Sequence, residues 1–161
     1  MQVSANGIKL VMNAEGFRSR VYLDVAGNPT IGYGHKLLHP DSFPNGVDET
    51  TAQHMLACDL DDVESDIPRL VKVPLTQGQF DALADFVFNL GATRLQGSTL
   101  LSLLNSSQYD QAAQQLLRWD HADIKGSEVE LADLKSRRQA EFTLWHFVAP
   151  NDPAAAAEVA A

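Results

Sequence analysis

Apolar residues recur along this chain at two different periods, and the change of period divides it. From Ser4 to Ala14, the residues Ile8, Val11 and Met12 share one face of a short amphipathic helix, which Gly16 is placed to stop. Between Arg18 and His35 the period shortens. Val21 and Leu23, then Thr30 and Ile31, flank Val25-Ala26-Gly27-Asn28, a stretch with the composition of a hairpin turn. Gly32 and Gly34 are poor strand residues and predict bends or close backbone approach. Pro40, Pro44 and Gly46 mark a loop.

Helical spacing then returns and persists. Asp48 reads as an N-cap with Glu49 in the first turn, followed by Ala52, Met55, Leu56, Leu60, Val63 and Ile67, with Pro68 as the expected end. Asp59, Asp61, Asp62, Glu64 and Asp66 form the wet face of that helix, and their spacing matches no calcium loop. Thr76-Gln77-Gly78-Gln79 is a capping box ahead of Phe80, Leu83, Ala84, Val87, Phe88 and Leu90, with Gly91 as the stop. Ser98 caps a short helix through Leu104. Two more helices are expected over 110–119 and about 128–147. The fold class is therefore α+β and mainly helical. A small β-hairpin lobe (about 16–47) is joined by a long helix to a helical body (about 68–147) that includes the N-terminal helix. Residues 1–150 read as one domain, and the alanine-rich stretch 151–161 as a flexible tail.

Composition narrows the function classes. The chain has 161 residues, 45% of them hydrophobic, enough for a real core without staples, and no apolar run approaches a membrane span. The N-terminal residues lack the pattern of a signal peptide, so a cytoplasmic start is expected. The single cysteine, Cys58, excludes an internal disulfide and reads as a small core or flank residue. A formal net charge of −9 argues against nucleic acid and anionic membrane surfaces as partners. No heptad pattern or exposed apolar stripe is evident, so a monomer is expected.

Three residues carry candidate chemistry. Glu15 stands at the C-terminal end of the first helix, where the dipole disfavours a negative charge, and partial burial would push the same way. Both effects suit a proton donor, although a surface Glu beside a helix-ending glycine is the common case. Asp24 at the hairpin entry and Thr30 past its turn are ordinary turn and strand residues when taken singly.

Together, Glu15-Gly16, Tyr22, Asp24, Gly27 and the run Thr30-Ile31-Gly32-Tyr33-Gly34-His35 resemble the signature of the phage lysozymes, glycoside hydrolase family 24. The resemblance continues through Gln79-Phe80-Asp81-Ala82-Leu83, Phe88-Asn89-Leu90-Gly91, Ser98-Thr99-Leu100, Trp119 and Arg137-Arg138-Gln139-Ala140-Glu141, so that it spans about residues 7–145. It implies a lysozyme-like fold and hydrolysis of the β-1,4 bond of peptidoglycan glycan strands with inversion. Glu15 would be the acid, Asp24 the carboxylate holding the attacking water, and Thr30 its hydroxyl partner. It also implies that Phe88 and Asn89 line the saccharide cleft and that Arg137 pairs with Glu15 beside it. Phe88 reads equally as core, and Asn89 as a helix-end residue. His35 resembles a family histidine of structural role; a metal pair with His39 is disfavoured, since Pro40 and the glycines deny both a common helical face. No cofactor or metal is expected. As an endolysin, the protein would reach the wall from the host cytoplasm through a membrane pore.

Two departures stand out. Asp133-Leu134-Lys135-Ser136 precedes Arg137, where many relatives carry a glycine-leucine pair, and the chain is acidic where many relatives are basic. Two rival readings remain beside the hydrolase. A lytic transglycosylase would keep the acid but need no water-holding carboxylate, and an inactive lysozyme-like protein would only bind the wall.

Overall fold

The computed structural model describes residues 1–24, 27–39, 42–124 and 126–148. Val25 and Ala26 of the expected turn, Pro40 of the loop and the 151–161 tail lie outside the described residues.

The first helix, α1 (Ala5–Glu15), is capped by the Ser4 hydroxyl. Asp81 accepts from both the backbone N–H and the hydroxyl of Ser4, which fastens the cap to the centre of the molecule. Three short strands follow: β1 (Arg18–Leu23), β2 (Pro29–Gly32) and β3 (His35–Lys36). They form an antiparallel sheet in the order β1-β2-β3, with Tyr22 opposite Thr30 and Ile31 opposite His35. A long helix, α2 (Glu49–Leu70), leads away from this sheet, and the Asp48 carboxylate caps it. Pro68 lies inside the helix rather than at its end: Val71 N–H still reaches the Ile67 carbonyl at 2.9 Å, so the proline removes one bond in a last turn that is otherwise kept.

The helical body is built around α3 (Gln77–Leu90), whose expected capping box is present in both directions. From Gly78 to Val87 every residue of α3 is buried, because α1, α2 and the last helix all pack against it. A short helix not foreseen from the pattern, α4 (Ala92–Gln96), precedes α5 (Thr99–Asn105) and α6 (Tyr109–Leu116). The next stretch differs from expectation. Residues 128–130, read as the start of the last helix, instead end a hairpin of β4 (His121–Ile124) with β5 (Ser127–Glu130), closed by Leu131 N–H on the Asp120 carbonyl. Ser127 to Glu130 is exposed throughout, so burial leaves no one-sided pattern to read, and Gly126 takes the positive φ that the turn requires. The last helix is α7 (Ala132–Trp145). Asp133 is exposed in its first turn, where the helix dipole favours it.

Cys58 is exposed on the outward face of α2 and is not a core residue; the core positions of that helix are Ala52, Leu56, Leu60, Val63 and Ile67. No helix among the described residues is long and apolar enough to cross a membrane.

The approach of α7 to α3 has one tight point. A Cβ on Gly78 would stand 2.3 Å from the Leu144 carbonyl oxygen and 2.4 Å from that of Phe147. Both are backbone atoms, so they yield only if the end of α7 moves. Gly78→Ala is expected to destabilise by about 1–3 kcal/mol. At roughly 2–4 °C per kcal/mol for a protein of this size, thermal melting should show a clear fall.

Candidate active site

Glu15 ends α1 because Gly16 turns away at φ +68, its N–H bonded to the Met12 carbonyl at 3.0 Å. The carboxylate is partly buried. On one side it meets the β2–β3 turn. Gly34 there has φ +83, and a Cβ on it would stand 3.1 Å from Glu15 Oε2. The turn is itself pinned. The Tyr33 hydroxyl donates to Glu49 Oε1 at 2.8 Å, and its ring packs on Phe17. A Cβ on Gly32 would come within 3.0 Å of the Ala52 Cβ, so α2 presses directly on the strand. His35 Nδ1 lies 2.9 Å from both Asp59 oxygens and ties β3 to the same helix.

On its other side Glu15 meets Arg137 of α7. Arg137 Nη1 donates to Glu15 Oε1 at 2.8 Å, while Nε and Nη2 donate to Oδ2 and Oδ1 of Asp85, each at 2.8 Å. Burial works against the Arg137 charge. The hydrogen bonds and charge of Asp85, and after them those of Glu15, outweigh it and hold the guanidinium charged above its ordinary range. The next residue, Arg138, is fully buried. Its Nη2 donates to Asn89 Oδ1 at 3.0 Å and lies 2.7 Å from Glu141 Oε1, out of line for a good hydrogen bond. Burial pulls Arg138 below the usual arginine range and pushes Glu141 well above the usual carboxylate range.

Asp24 and Thr30 are organised by a third residue. Asp24 Oδ1 accepts the Asn28 backbone N–H at 2.8 Å, and Oδ2 accepts the Asn28 side-chain amide at 3.0 Å. Thr30, buried in β2, donates its hydroxyl to the Asn28 carbonyl at 3.0 Å. Asn28 thus orders both side chains through its own backbone. Lys36 Nζ stands 4.0 Å from Asp24. Tyr22 connects the two halves: burial first, then the charges of Glu15 and, to a lesser degree, Asp24 raise its phenol above the ordinary value, with Arg18 over its ring opposing them.

The structure therefore joins Glu15 directly to Arg137, and Asp24 to Thr30 through Asn28. Asn89 lines a cleft of about 780 Å³ on the helical body, together with Leu90, Trp119 and His121. Phe88 is half-buried and packs against the core. The sequence reading missed Asp85, Asn28 and Tyr22 as organising groups. A signal for Asp85 existed: Asp81 and Asp85 stand four apart in a helix that is otherwise apolar, where each must have a buried partner. Among the described residues no group of three or more His, Cys, Asp or Glu could hold a metal ion.

Known proteins resemble this chain along most of its length. The profile of the phage lysozyme family matches residues 12–141. An endolysin of Acyrthosiphon pisum secondary endosymbiont phage 1 is 37% identical over 90% of this chain and 98% of its own length. The endolysin of Salmonella phage P22 is 39% identical over 86% of this chain and 95% of its own. Among solved structures, the muramidase domain of SpmX from Asticaccaulis excentricus superposes with a TM-score of 0.84 at 33% identity, covering 91% of this chain and 98% of that one.

Glycine is required at 34 both by its φ and by the acid beside it. Gly34→Ala should reduce activity far more than its backbone strain of about 1–2 kcal/mol would suggest, because the new methyl displaces Glu15. Gly126→Ala carries a similar φ, +83, with nothing within 4 Å, and should cost stability alone. Melting curves and lysis rates of the two variants, measured side by side, check the contrast.

Proposed function

The chain belongs to the phage lysozyme family, glycoside hydrolases that act on peptidoglycan, and from that premise we propose that it is an inverting muramidase with Glu15 as general acid. The bond cut is the β-1,4 linkage between N-acetylmuramic acid and N-acetylglucosamine. Glu15 protonates the leaving oxygen, while water held by Asp24 and Thr30 attacks the anomeric carbon from the opposite face. The observation that carries this reading is the division of labour around the two carboxylates. Glu15 is oriented by Arg137 from the helical body, and Asp24 and Thr30 are oriented by Asn28 within the sheet. The Thr30 hydroxyl gives its proton to the Asn28 carbonyl, which leaves its oxygen to act as an acceptor for the attacking water. Water donating to Thr30 and to Asp24 then has its lone pair free for the sugar carbon.

Asn89 serves the glycan strand through its amide N–H groups, since Arg138 occupies its oxygen. Phe88 supports the cleft floor from the core side. Arg137 acts through the acid, because its guanidinium is committed to Glu15 and Asp85. The protein works as a monomer and reaches the wall from the host cytoplasm after a membrane pore releases it.

Muropeptides released from purified peptidoglycan test the chemistry. The parent should leave hydrated reducing ends, and Glu15→Gln should leave none while melting like the parent. Asp24→Asn should lose on the order of 10²–10⁴ in rate, and Thr30→Ala should slow the reaction with inversion retained. Anhydro ends would mean transglycosylation and remove the water-holding role of Asp24. Absence of soluble product from every protein would mean a wall binder. Charge gives a separate check. A protein of net charge −9 meets an anionic wall against repulsion, which salt screens as the Debye length falls from about 30 Å at 0.01 M to about 10 Å at 0.1 M. The lysis rate should rise over that range, and rise further with divalent cations.

A further inference from the structure

An arginine bonded to a general acid poses a chemical problem. Its charge favours the carboxylate form of the acid, whereas the reaction needs the proton. The buried carboxylate behind the arginine answers it. We propose that Asp85 is a positioning residue for the acid: it takes two N–H groups and the charge of Arg137, so that Nη1 alone steadies Glu15 Oε1 and Oε2 is left for proton transfer.

The geometry is specific. Asp85 is fully buried and grips Arg137 in a two-point fork, Nε to Oδ2 and Nη2 to Oδ1, both at 2.8 Å. A fork fixes the plane of the guanidinium, and with it the direction of the remaining nitrogen, which meets Glu15 at 2.8 Å. The other acid oxygen lies against Gly34, where no side chain closes the space. Asp85 itself makes no hydrogen bond to Glu15 and lies seventy residues from it in sequence, so its influence passes through Arg137. The charged and titratable groups around the acid come from every neighbouring element. From α7 there is Arg137, with Arg138 and Glu141 behind it; from α3, Asp85; from β1, Tyr22 with Arg18 over its ring, and Asp24 just beyond; and from the β2–β3 turn and β3, Tyr33 held by Glu49 and His35 held by Asp59. Among the described residues only Asp85 both touches Arg137 and is shut away from solvent, so its charge offsets that of Arg137 without dilution by water.

This inference rests on Glu15 being the acid, and the experiment separates the two. Soluble glycan strands are used to measure kcat, KM and pH–rate profiles for the parent, Glu15→Gln, Asp85→Asn, Arg137→Gln and the double variant of the last two. Asp85→Asn should lower kcat on the order of tenfold or more through misplacement of the acid, with KM unchanged. Its alkaline limb should move to lower pH, because Arg137 now acts on Glu15 without its counter-charge. Added to Arg137→Gln, it should cost no further rate, the mark of two residues acting through one path. Loss of rate that multiplies in the double variant, an unmoved limb, or a change confined to KM or melting temperature overturns the proposal. Should Asp85→Asn fail to fold, Arg137→Lys carries the test, since it keeps the charge but cannot form the fork; parental kcat there overturns the proposal as well. An active Glu15→Gln would instead defeat the assignment of the acid itself.

Discussion

The junction of α1, α3 and α7 depends on keeping one guanidinium charged where water hardly reaches it. The Arg137 side chain is 7% exposed, and such a charge persists only with carboxylates close on more than one side. Asp85 supplies one from the middle of α3, and Glu15 the other from the end of α1. The three residues come from distant parts of the chain, so satisfying the charge also fixes the relative placement of three helices. Removing the wholly buried Asp85 strands that charge, a loss of about 3–5 kcal/mol in comparable sites, whereas the partly exposed Glu15 contributes less.

The sheet is organised differently. Its two candidate residues, Asp24 and Thr30, are set by Asn28 over a few residues of chain, and the sheet is hung on α2 by Tyr33 with Glu49 and by His35 with Asp59. Local hydrogen bonds thus order Asp24 and Thr30, and long-range ion pairs order Glu15. The two sides meet at the Gly34 turn, where the absence of a side chain lets Glu15 approach the lobe. A change in how the sheet sits on α2 therefore alters the spacing between Glu15 and Asp24 without disturbing either group's own support.

Much of this was legible in the chain, for identifiable reasons. The α3 capping box and the glycines after α1 and α3 are local signals, and local hydrogen bonds decide them. Glu15, Asp24 and Thr30 became candidates by resemblance, since singly each looks ordinary. What escaped depended on which partners the fold brings to a side chain or carbonyl. Asp85 looks like a misplaced charge until Arg137 is brought to it, and Asn28 looks like a turn residue until its carbonyl meets Thr30. The β4–β5 hairpin was hidden because its second strand is exposed on both faces and so carries no alternation. Cys58 was misread because small residues occur on both sides of α2, and only the packed helix shows which side faces out.

The arrangement of Arg138 and Glu141 bears on why so much charge is buried here. Arg138 Nε and Nη1, and both Glu141 oxygens, lack hydrogen-bond partners among the described residues, and both side chains are wholly enclosed. Well-packed apolar residues in such a place usually serve stability as well or better. Stability alone therefore does not account for two adjacent arginines and two carboxylates buried between α3 and α7. Each arginine instead has a polar destination on another helix: Arg137 reaches Glu15 of α1, and Arg138 reaches Asn89 of α3, which lines the cleft. Because the two are consecutive on α7, one helix position sets both, and any shift of α7 against α3 would move the acid and the cleft amide together. The close glycine contact at Gly78, which fixes how near α7 can come to α3, thereby limits the geometry of the site from beneath it.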